Sequence, residues 1–268
     1  MYAVDYHTHS CCSPDSSARL LDMAKAAQRV GLRELCTTDH CDLQQEDGST
    51  LGTWDWTPIL TQYEEAELLS RRSDFRLLLG IELGGAHTDP QRAADLLSGV
   101  PLDFVIGSVH NLNPAAGGRD FYFLDYTTQD YCHQVLDDYF ASLLALAPLP
   151  TYDSLGHIIY PLRYMKNVRD GQVTLERYEE ILRAIFTAAA ETGRGIELNT
   201  YCGRTLEEWL PTLKLYRACG GEIVTTGSDA HTAENIGKGI QEAQELLRAA
   251  GFRHQAVYQQ RTPQFIRL

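Results

Sequence analysis

Histidines and acidic residues cluster at the ends of short apolar, β-branched segments along this 268-residue chain. Six of the nine histidines occupy such places, mostly beside a carboxylate. The side chains concerned are His7, His9, Asp15, His40, Glu82, His110, His157, Asp229 and His231. Imidazoles and carboxylates without a cysteine pattern are the ligands of divalent zinc, iron or manganese. The pattern therefore predicts a multinuclear metal hydrolase.

The spacing of these residues suits ligands that converge from β-strands. His7 and His9 are two residues apart, and Asp229 and His231 repeat this spacing near the end of the chain. Alternate residues of a strand share a face, so each pair would direct two side chains into one site. Glu82 follows an otherwise apolar run, where a buried carboxylate needs nearby cations. We expect Glu82 to bridge two metal ions, with a buried arginine pair as the alternative.

Strand-like and helix-like segments alternate along the chain and must position these residues. The predicted strands are Tyr2–Tyr6, Leu32–Thr37, Arg76–Leu83, Phe104–Val109, Ser154–Ile159, Ile196–Leu198 and Ile223–Thr226. The predicted helices are Ala18–Val30, Pro58–Arg72, Pro90–Leu97, Gln129–Leu146, Thr174–Thr192, Leu206–Cys219 and Ala233–Ala250. Such alternation predicts an α/β fold with a parallel sheet and right-handed crossovers. Its regular spacing favours one barrel domain over residues 1–268, with functional residues at the carboxyl ends of the strands.

Two long segments on the predicted catalytic face, Asp42–Trp56 and Asn111–Thr128, are rich in glycine, aspartate and aromatic residues. Long loops on that face usually shape the substrate pocket. The C-terminal tail contains Tyr258, Phe265 and Ile266, which we expect to pack across the barrel.

The composition is that of an ordinary globular protein. Hydrophobic residues make up 44% of the chain, charged residues make up 22%, and the formal net charge is −13. Such acidity disfavours an extended nucleic-acid surface or an anionic-membrane surface. The sequence contains no export-type signal, no apolar run of membrane-spanning length and, among 7 cysteines, no C-x-x-C pair. We expect a cytoplasmic protein with reduced thiols, with Cys12 as a soft metal ligand being the alternative.

Further polar residues follow the predicted strand ends. Arg163, Arg204 and Lys166 suit a phosphate group, to which an arginine can donate two parallel hydrogen bonds; rim salt bridges are the alternative. Glu197 and Asn199 end the sixth strand, where we expect them to orient histidine ligands rather than close the barrel floor. We expect His133 and His254 to serve packing or to lie at the surface. We expect the same of His87, with a contact to the substrate as the alternative.

The order of the motifs resembles that of a known family. The motifs are H-x-H with a downstream acid, T-D-H, G-I-E, G-S-V-H, G-H, E-L-N-T and G-S-D-A-H. Together they resemble the polymerase and histidinol phosphatase (PHP) superfamily, from Asp5 to about Gly237. This resemblance implies a distorted (β/α)7 barrel with a trinuclear metal site. The chain length, the opening D-Y-H-T-H-S and the arginine six residues after the G-H histidine are similar to the stand-alone histidinol-phosphate phosphatases.

The resemblance also implies which residues hold each metal ion. One ion would bind His7, His9, Glu82 and Asp229; a second would bind Glu82, His110 and His157; a third would bind Asp15, His40 and His231. Asp15 stands where many members have histidine, and Ile159 stands where they often have aspartate. The implied catalytic and phosphate-binding residues are Glu82, Asp229, His231, Arg163 and Arg204.

The activity implied by the resemblance is hydrolysis of L-histidinol phosphate, with two or three divalent zinc, iron or manganese ions. The substrate would be a small phosphate monoester with a cationic body, which loop carboxylates would hold. The candidates are Asp42, Glu46, Asp47, Asp55, Asp120 and Asp125. Two alternatives remain open: a phosphoesterase of the same fold that acts on nucleotides, nucleic-acid ends or phosphotyrosine, and a non-catalytic metal-binding module.

Overall fold

The computed structural model describes residues 2–71, 74–166 and 173–268 of the chain. The strands are β1 Val4–Asp5, β2 Glu34–Thr37, β3 His40–Asp42, β4 Arg76–Gly84, β5 Phe104–Ser108, β6 Ser154–Leu155, β7 Gly195–Asn199, β8 Val224–Gly227, β9 His254–Gln259 and β10 Thr262–Arg267. The α-helices are α1 Leu20–Arg29, α2 Thr57–Ser70, α3 Pro90–Leu97, α4 Gln129–Leu146, α5 Glu179–Glu191, α6 Trp209–Ala218 and α7 Ile240–Ala249. Within the described ranges, no helix has both the length and the apolarity that crossing a membrane requires.

Seven parallel strands form the barrel wall in the order β1-β2-β4-β5-β6-β7-β8, and the short β3 also pairs with β4. Hydrogen bonds between the two ends of this sheet close the wall. Tyr6 N donates to Thr226 O at 3.0 Å, and His9 N donates to Ala230 O at 2.9 Å. Because all seven strands run in the same direction, their carboxyl ends meet at one face of the barrel.

The helices bury one apolar face against the outside of the barrel. The buried residues of α5 have the spacing of a single helical stripe; they are Leu182, Ile185, Phe186 and Ala189. Glu179 and Glu180 lie in the first turn of the same helix, where negative charge favours the helix dipole. The apolar period of the sequence therefore determines which face of α5 packs on the sheet.

The C-terminal hairpin β9–β10 covers the opposite, amino-terminal end of the barrel. The buried ring of Tyr258 lies 4.8 Å from the ring of Phe104. Arg261 Nε donates to Asp153 Oδ2 at 3.0 Å and ties the hairpin turn to the start of β6. The expectation that the tail packs across the barrel is confirmed for Tyr258. Phe265 is 50% exposed, because a two-stranded hairpin buries only one of its faces.

The last two helices begin later than predicted. The predicted helix Ala233–Ala250 has a 3₁₀ turn at Ala233–Asn235 and begins its α-helical part only at Ile240. Gly237 and Gly239 between them have φ of 74° and 79°, in the left-handed region that glycine adopts without steric cost. Similarly, the predicted helix Leu206–Cys219 starts with a 3₁₀ turn at Leu206–Glu208. Pro211 then lies in the first turn of α6, where no intrahelical bond to its nitrogen is needed.

The other predicted elements agree with the structure to different degrees. Helices α3 and α4 have the predicted ends, whereas a 3₁₀ turn, Glu176–Tyr178, precedes α5. Strand β6 has only two of the six residues predicted for Ser154–Ile159. The chain turns directly after β6, where Tyr160 N donates to His157 O at 2.7 Å. Arg72, the predicted last residue of the second helix, lies outside the described residues.

Candidate metal centre

All six predicted histidine ligands lie in one cluster at the carboxyl ends of the barrel strands. The ring centroid of His9 lies 4.2 Å from the centroids of both His40 and His231. The ring centroids of His110 and His157 are 5.1 Å apart. Residues that are distant in sequence therefore form a single candidate site.

The buried carboxylate of Glu82 stands at the middle of this cluster. Its Oε2 lies 3.0 Å from His40 Nδ1 and 3.2 Å from His7 Nε2. Its Oε1 lies 2.8 Å from His157 Nε2 and 3.2 Å from His110 Nε2. In the described part of the chain, the ion-pair partners of Glu82 are histidines and not an arginine. The two oxygens thus face different imidazoles, as a bridging carboxylate requires.

Four groups of side chains among the described residues have ligand atoms within 4.8 Å of one another. The groups are His7, His9 and Glu82; Glu82, His110 and His157; His9, His40 and His231; and His40, Asp42 and His110. The first two groups share Glu82 and match two of the ligand sets implied by the sequence. Asp229 adjoins the first group, since its Oδ1 lies 3.6 Å from His9 Nε2.

The third implied ligand set also comes together. Asp15 Oδ2 lies 2.9 Å from His231 Nε2 and 3.6 Å from His40 Nε2. Asp15 is about half exposed, so this set lies on the solvent side of the cluster. His9 lies between this set and the first, and the three candidate positions therefore form one connected centre.

Several buried atoms at the centre have no hydrogen-bond partner within the described structure. They are His7 Nε2, His9 Nε2, His40 Nδ1 and Glu82 Oε2. Buried polar atoms in folded proteins nearly always have a partner. Lone pairs of imidazole nitrogens and carboxylate oxygens that converge in this way fit divalent cations such as zinc, iron or manganese.

The electrostatics of the centre favour the ligand forms of Glu82 and His9, whereas the neighbouring carboxylates raise the pKa of His7, His40, His110 and His231. Burial would raise the pKa of Glu82, but the positive charges of His7 and the neighbouring imidazoles hold it well below its usual range. Burial lowers the pKa of His9, and the charges of His40 and His231 lower it further. A carboxylate and a neutral imidazole are the forms that coordinate a metal ion. Glu82 and His9 therefore have the protonation states of ligands at neutral pH.

A sequence model of the PHP domain matches residues 5–201 of the chain. That range is well over half of the chain and includes every predicted ligand except Asp229 and His231. The chain belongs to the PHP domain family.

Two relatives resemble this PHP protein over nearly its whole length. A histidinol-phosphatase from Lactococcus lactis is 27% identical over 267 residues, which are 96% of this chain and 95% of that protein. A probable histidinol-phosphatase from Thermotoga maritima is 25% identical and aligned over 95% of both chains.

Among solved structures, the fold is similar to that of histidinol phosphate phosphatase from Lactococcus lactis in complex with zinc, L-histidinol and phosphate. The TM-score is 0.84 at 24% identity, over 98% of both chains. This likeness confirms the predicted distorted (β/α)7 barrel.

Carboxylates around the centre hold the histidine rings in place. Glu197 Oε1 lies 2.7 Å from His7 Nδ1, and Glu197 Oε2 accepts a hydrogen bond from His157 N at 2.9 Å. This agrees with the orienting role expected for Glu197. Asp42 Oδ1 lies 2.7 Å from His110 Nδ1, a contact that the sequence did not indicate. Such contacts select the ring tautomer and raise the basicity of the nitrogen that faces the metal.

Asp39 is a second supporting carboxylate that sequence reasoning missed. Its Oδ1 accepts hydrogen bonds from Ser10 N at 2.6 Å and from Ser13 Oγ at 2.8 Å. Ser13 Oγ in turn lies 3.1 Å from His9 Nδ1. Asp39 thus anchors the loop after β1 that carries His9 and Asp15. The signal for this role was its position directly before His40 in the T-D-H motif.

Arg163 lies inside the site and is only 5% exposed. Its Nη1 donates to Asp229 Oδ2 at 3.0 Å, and its Nη2 donates to Asn199 Oδ1 at 2.9 Å. Its Nε is buried and has no partner within the described ranges. Burial lowers the pKa of Arg163, but the charge of Asp229 more than compensates and raises it overall. Arg163 is therefore a permanent cation beside the predicted metal ligand Asp229.

The other two predicted cations lie on the rim. Arg204 is exposed, with its guanidinium carbon 5.1 Å from the ring centroid of Tyr201. The guanidinium carbon of Arg163 lies 4.1 Å from the same ring, so Tyr201 stands between the two arginines. Lys166 Nζ lies 3.3 Å from Glu208, which agrees with the rim salt bridge given as the alternative for this lysine.

Strained backbone also concentrates beside Arg163. Tyr201, Cys202 and Asp229 have φ of 47°, 53° and 60°, in a region that is costly for residues other than glycine. Tyr201 N donates to Asn199 Oδ1 at 2.9 Å, and Cys202 N donates to Ser228 O at 2.8 Å. These bonds tie the strained segment after β7 to the end of β8, and Asp229 N donates to His7 O at 2.9 Å.

The other three histidines and Cys12 lie outside the ligand groups found among the described residues. His133 in α4 lies 2.8 Å from the hydroxyl of Tyr178, and His254 is exposed at the start of β9. His87 lies in the loop after β4, where burial lowers its pKa to about 4. Cys12 belongs to none of the ligand groups found in the described part of the chain.

Proposed function

We propose that this PHP protein hydrolyses L-histidinol phosphate to L-histidinol and phosphate, a reaction of histidine biosynthesis. The observation that carries the proposal is the position of Glu82 between two groups of imidazoles, with Arg163 close by. This arrangement suits the activation of water beside a bound phosphate group. The histidinol-phosphatases that resemble the chain over nearly its whole length support the choice of substrate.

In this proposal two or three divalent ions of zinc, iron or manganese bind at the centre. The ligands are His7, His9, Glu82 and Asp229 for the first; Glu82, His110 and His157 for the second; and Asp15, His40 and His231 for the third. Bound there, divalent cations would place positive charge beside a phosphoryl group and lower the pKa of a water molecule. Glu82, Asp229 and His231 would contribute to catalysis as ligands of these ions.

The protein's own residues orient the site. Glu197 and Asp42 hold the rings of His7 and His110 so that Nε2 of each faces Glu82. Arg163 uses one N–H of each Nη on a protein oxygen, and its Nε has no partner in the described structure; we propose that its remaining N–H groups donate to a phosphoryl oxygen. A fixed positive charge in a buried site stabilises negative charge that develops in the transition state.

We propose a single PHP-type domain over residues 1–268, a cytoplasmic location and a small phosphate monoester as substrate. The formal net charge of −13 supports the absence of an extended nucleic-acid surface, because a polyanion would be repelled.

A substrate panel tests the proposal directly. We expect the catalytic efficiency kcat/KM for L-histidinol phosphate to exceed the values for a nucleoside monophosphate, phosphotyrosine and a dinucleotide. The cationic body of histidinol phosphate suits the acidic chain, whereas the nucleotides present more negative charge. Phosphate or product release would be measured with added zinc, iron or manganese.

More efficient cleavage of another substrate on the panel would contradict the histidinol-phosphate assignment and favour the general phosphoesterase. Failure to cleave every substrate, despite full metal content, would favour the non-catalytic module. A Glu82→Gln preparation purified in parallel controls for contaminating phosphatases.

Arg204→Ala should lower kcat/KM by roughly 1–3 kcal/mol of transition-state stabilisation, the cost of losing one charged hydrogen-bond donor. The loss should be similar for every monoester, because this arginine would contact only the phosphate. Steady-state kinetics on histidinol phosphate and 4-nitrophenyl phosphate measure it. Arg183→Ala, which removes an exposed arginine paired with Glu179 on α5, is the matched control. Unchanged kinetics for Arg204→Ala would remove this residue from the phosphate site.

A further inference from the structure

The six loop carboxylates that could hold a cationic substrate differ sharply in their surroundings. Asp42 is already engaged, since its two oxygens lie 2.7 Å from His110 Nδ1 and 3.5 Å from His40 Nδ1. Asp47 and Asp55 are exposed and accept hydrogen bonds within their own turns. These three carboxylates are therefore unsuited to contact the body of a substrate.

Among the remaining three candidates, Asp120 is partly buried, whereas Glu46 and Asp125 are exposed. Its Oδ1 accepts a hydrogen bond from Tyr122 N at 2.7 Å, and its backbone N donates to Glu46 O at 3.1 Å. Within the described structure no donor contacts its Oδ2. Asp120 forms an isolated antiparallel bridge with Asn111, and Phe121 N donates to His110 O at 2.9 Å, so Asp120 lies beside the segment that carries the predicted ligand His110. Asp120 thus offers one fixed and uncommitted oxygen at the mouth of the site.

A row of aromatic rings connects this carboxylate with the centre. The ring of Tyr160 lies 4.7 Å from the ring of His157 and 5.5 Å from the ring of Tyr164. The ring of Tyr164 lies 5.8 Å from that of Tyr122, which is 63% exposed. The ring of Phe121, the residue after Asp120, lies 6.3 Å from the ring of Tyr160, and Tyr122 N donates to Asp120 Oδ1, so Asp120 adjoins this row.

Tyr160 also reaches the phosphate side of the site. Its ring centroid lies 5.1 Å from the guanidinium carbon of Arg163, the residue to which we assign the phosphate group. A monoester with its phosphate beside Arg163 would therefore extend along Tyr160 toward Tyr164 and Asp120. The faces of aromatic rings attract cations, and a carboxylate accepts a charge-assisted hydrogen bond from an ammonium group.

We propose that Asp120, together with the rings of Tyr160 and Tyr164, binds the ammonium group of the substrate and selects cationic phosphate monoesters over neutral ones. The proposal rests on the proposed phosphatase function and adds the residues that determine specificity. Arg163 and Arg204 recognise the phosphate that all monoesters share, whereas Asp120 recognises the charge that distinguishes them.

The test compares two small substrates that differ in the ammonium group, 2-aminoethyl phosphate and propyl phosphate. The wild-type protein should prefer the aminoethyl ester, and Asp120→Asn should lower the ratio of the two kcat/KM values roughly ten- to a hundredfold. Asparagine keeps an oxygen that can accept from Tyr122 N, so the loop conformation should survive. Tyr164→Leu should lower the same ratio, and Tyr164→Phe, which retains the ring, should restore most of it.

Asp130→Asn is the matched control, because Asp130 is an exposed carboxylate in the first turn of α4. Equal losses on both esters, an unchanged ratio in Asp120→Asn, or no wild-type preference would each overturn the assignment of Asp120. Activity on histidinol phosphate is measured separately with the wild-type protein. A wild-type protein that hydrolyses histidinol phosphate, with a ratio insensitive to Asp120, would refute this inference and leave the proposed function intact.

Discussion

Glu82→Gln should reduce kcat by roughly a thousandfold or more and release most of the bound metal. Glutamine keeps the shape of the side chain but removes the negative charge that would offset two cations. It also places an amide N–H₂ opposite imidazole nitrogens that would have to coordinate metal. Turnover of histidinol phosphate and elemental analysis of the purified variant measure the two effects.

Glu34→Gln is the matched control for this substitution. Glu34 is equally buried, but it lies at the amino-terminal end of the barrel, where it pairs with Arg76 at 2.9 Å. Its replacement should lower thermal stability without loss of metal. Near-normal turnover of Glu82→Gln at full metal content would show that Glu82 does not bridge metal ions.

The purified protein should contain two or three divalent metals per chain, and removing them should abolish activity and lower the melting temperature by roughly 10 °C. Ligand binding to the native state alone stabilises it by about 3 kcal/mol or more when the metal is well above its dissociation constant. In a chain of this size each kcal/mol shifts the melting temperature by about 2–4 °C. Elemental analysis, activity and thermal unfolding before and after chelation measure these effects.

Zinc or manganese should restore both activity and stability after the chelator is removed. Chelator presaturated with metal controls for effects of the chelator itself, and chelation should shift the melting temperature of Glu82→Gln much less. A fully active protein that contains one metal ion or none would contradict the trinuclear centre.

The sequence was sufficient to predict which histidines and carboxylates meet at the candidate centre. In a parallel barrel all strands present their carboxyl ends at the same face, whatever the details of helix packing. Finding His7 after the first strand and Asp229 after the last was therefore enough to place them together. Helices α3 and α4 were predicted to the residue because their end signals are local. Asp89 accepts a hydrogen bond from Arg92 N, and the side chain of Thr128 caps α4.

Positions that depend on distant neighbours could not be predicted in the same way. The chain has 36 acidic residues, and nothing local separates Asp42, which holds His110, from Asp47, which caps an exposed turn. The same holds for Arg163, whose partners Asp229 and Asn199 come from other strands.

The sequence by itself determined the barrel class, the residue types of the candidate ligands and the face on which they meet, because strand alternation and ligand chemistry are properties of single segments. The tertiary structure alone decided which carboxylates support the histidines, which arginine is buried, and where Asp120 stands relative to Tyr160. These outcomes depend on distances between loops that follow different strands. Backbone conformation in the folded chain, including the left-handed φ of Asp229, sets those distances.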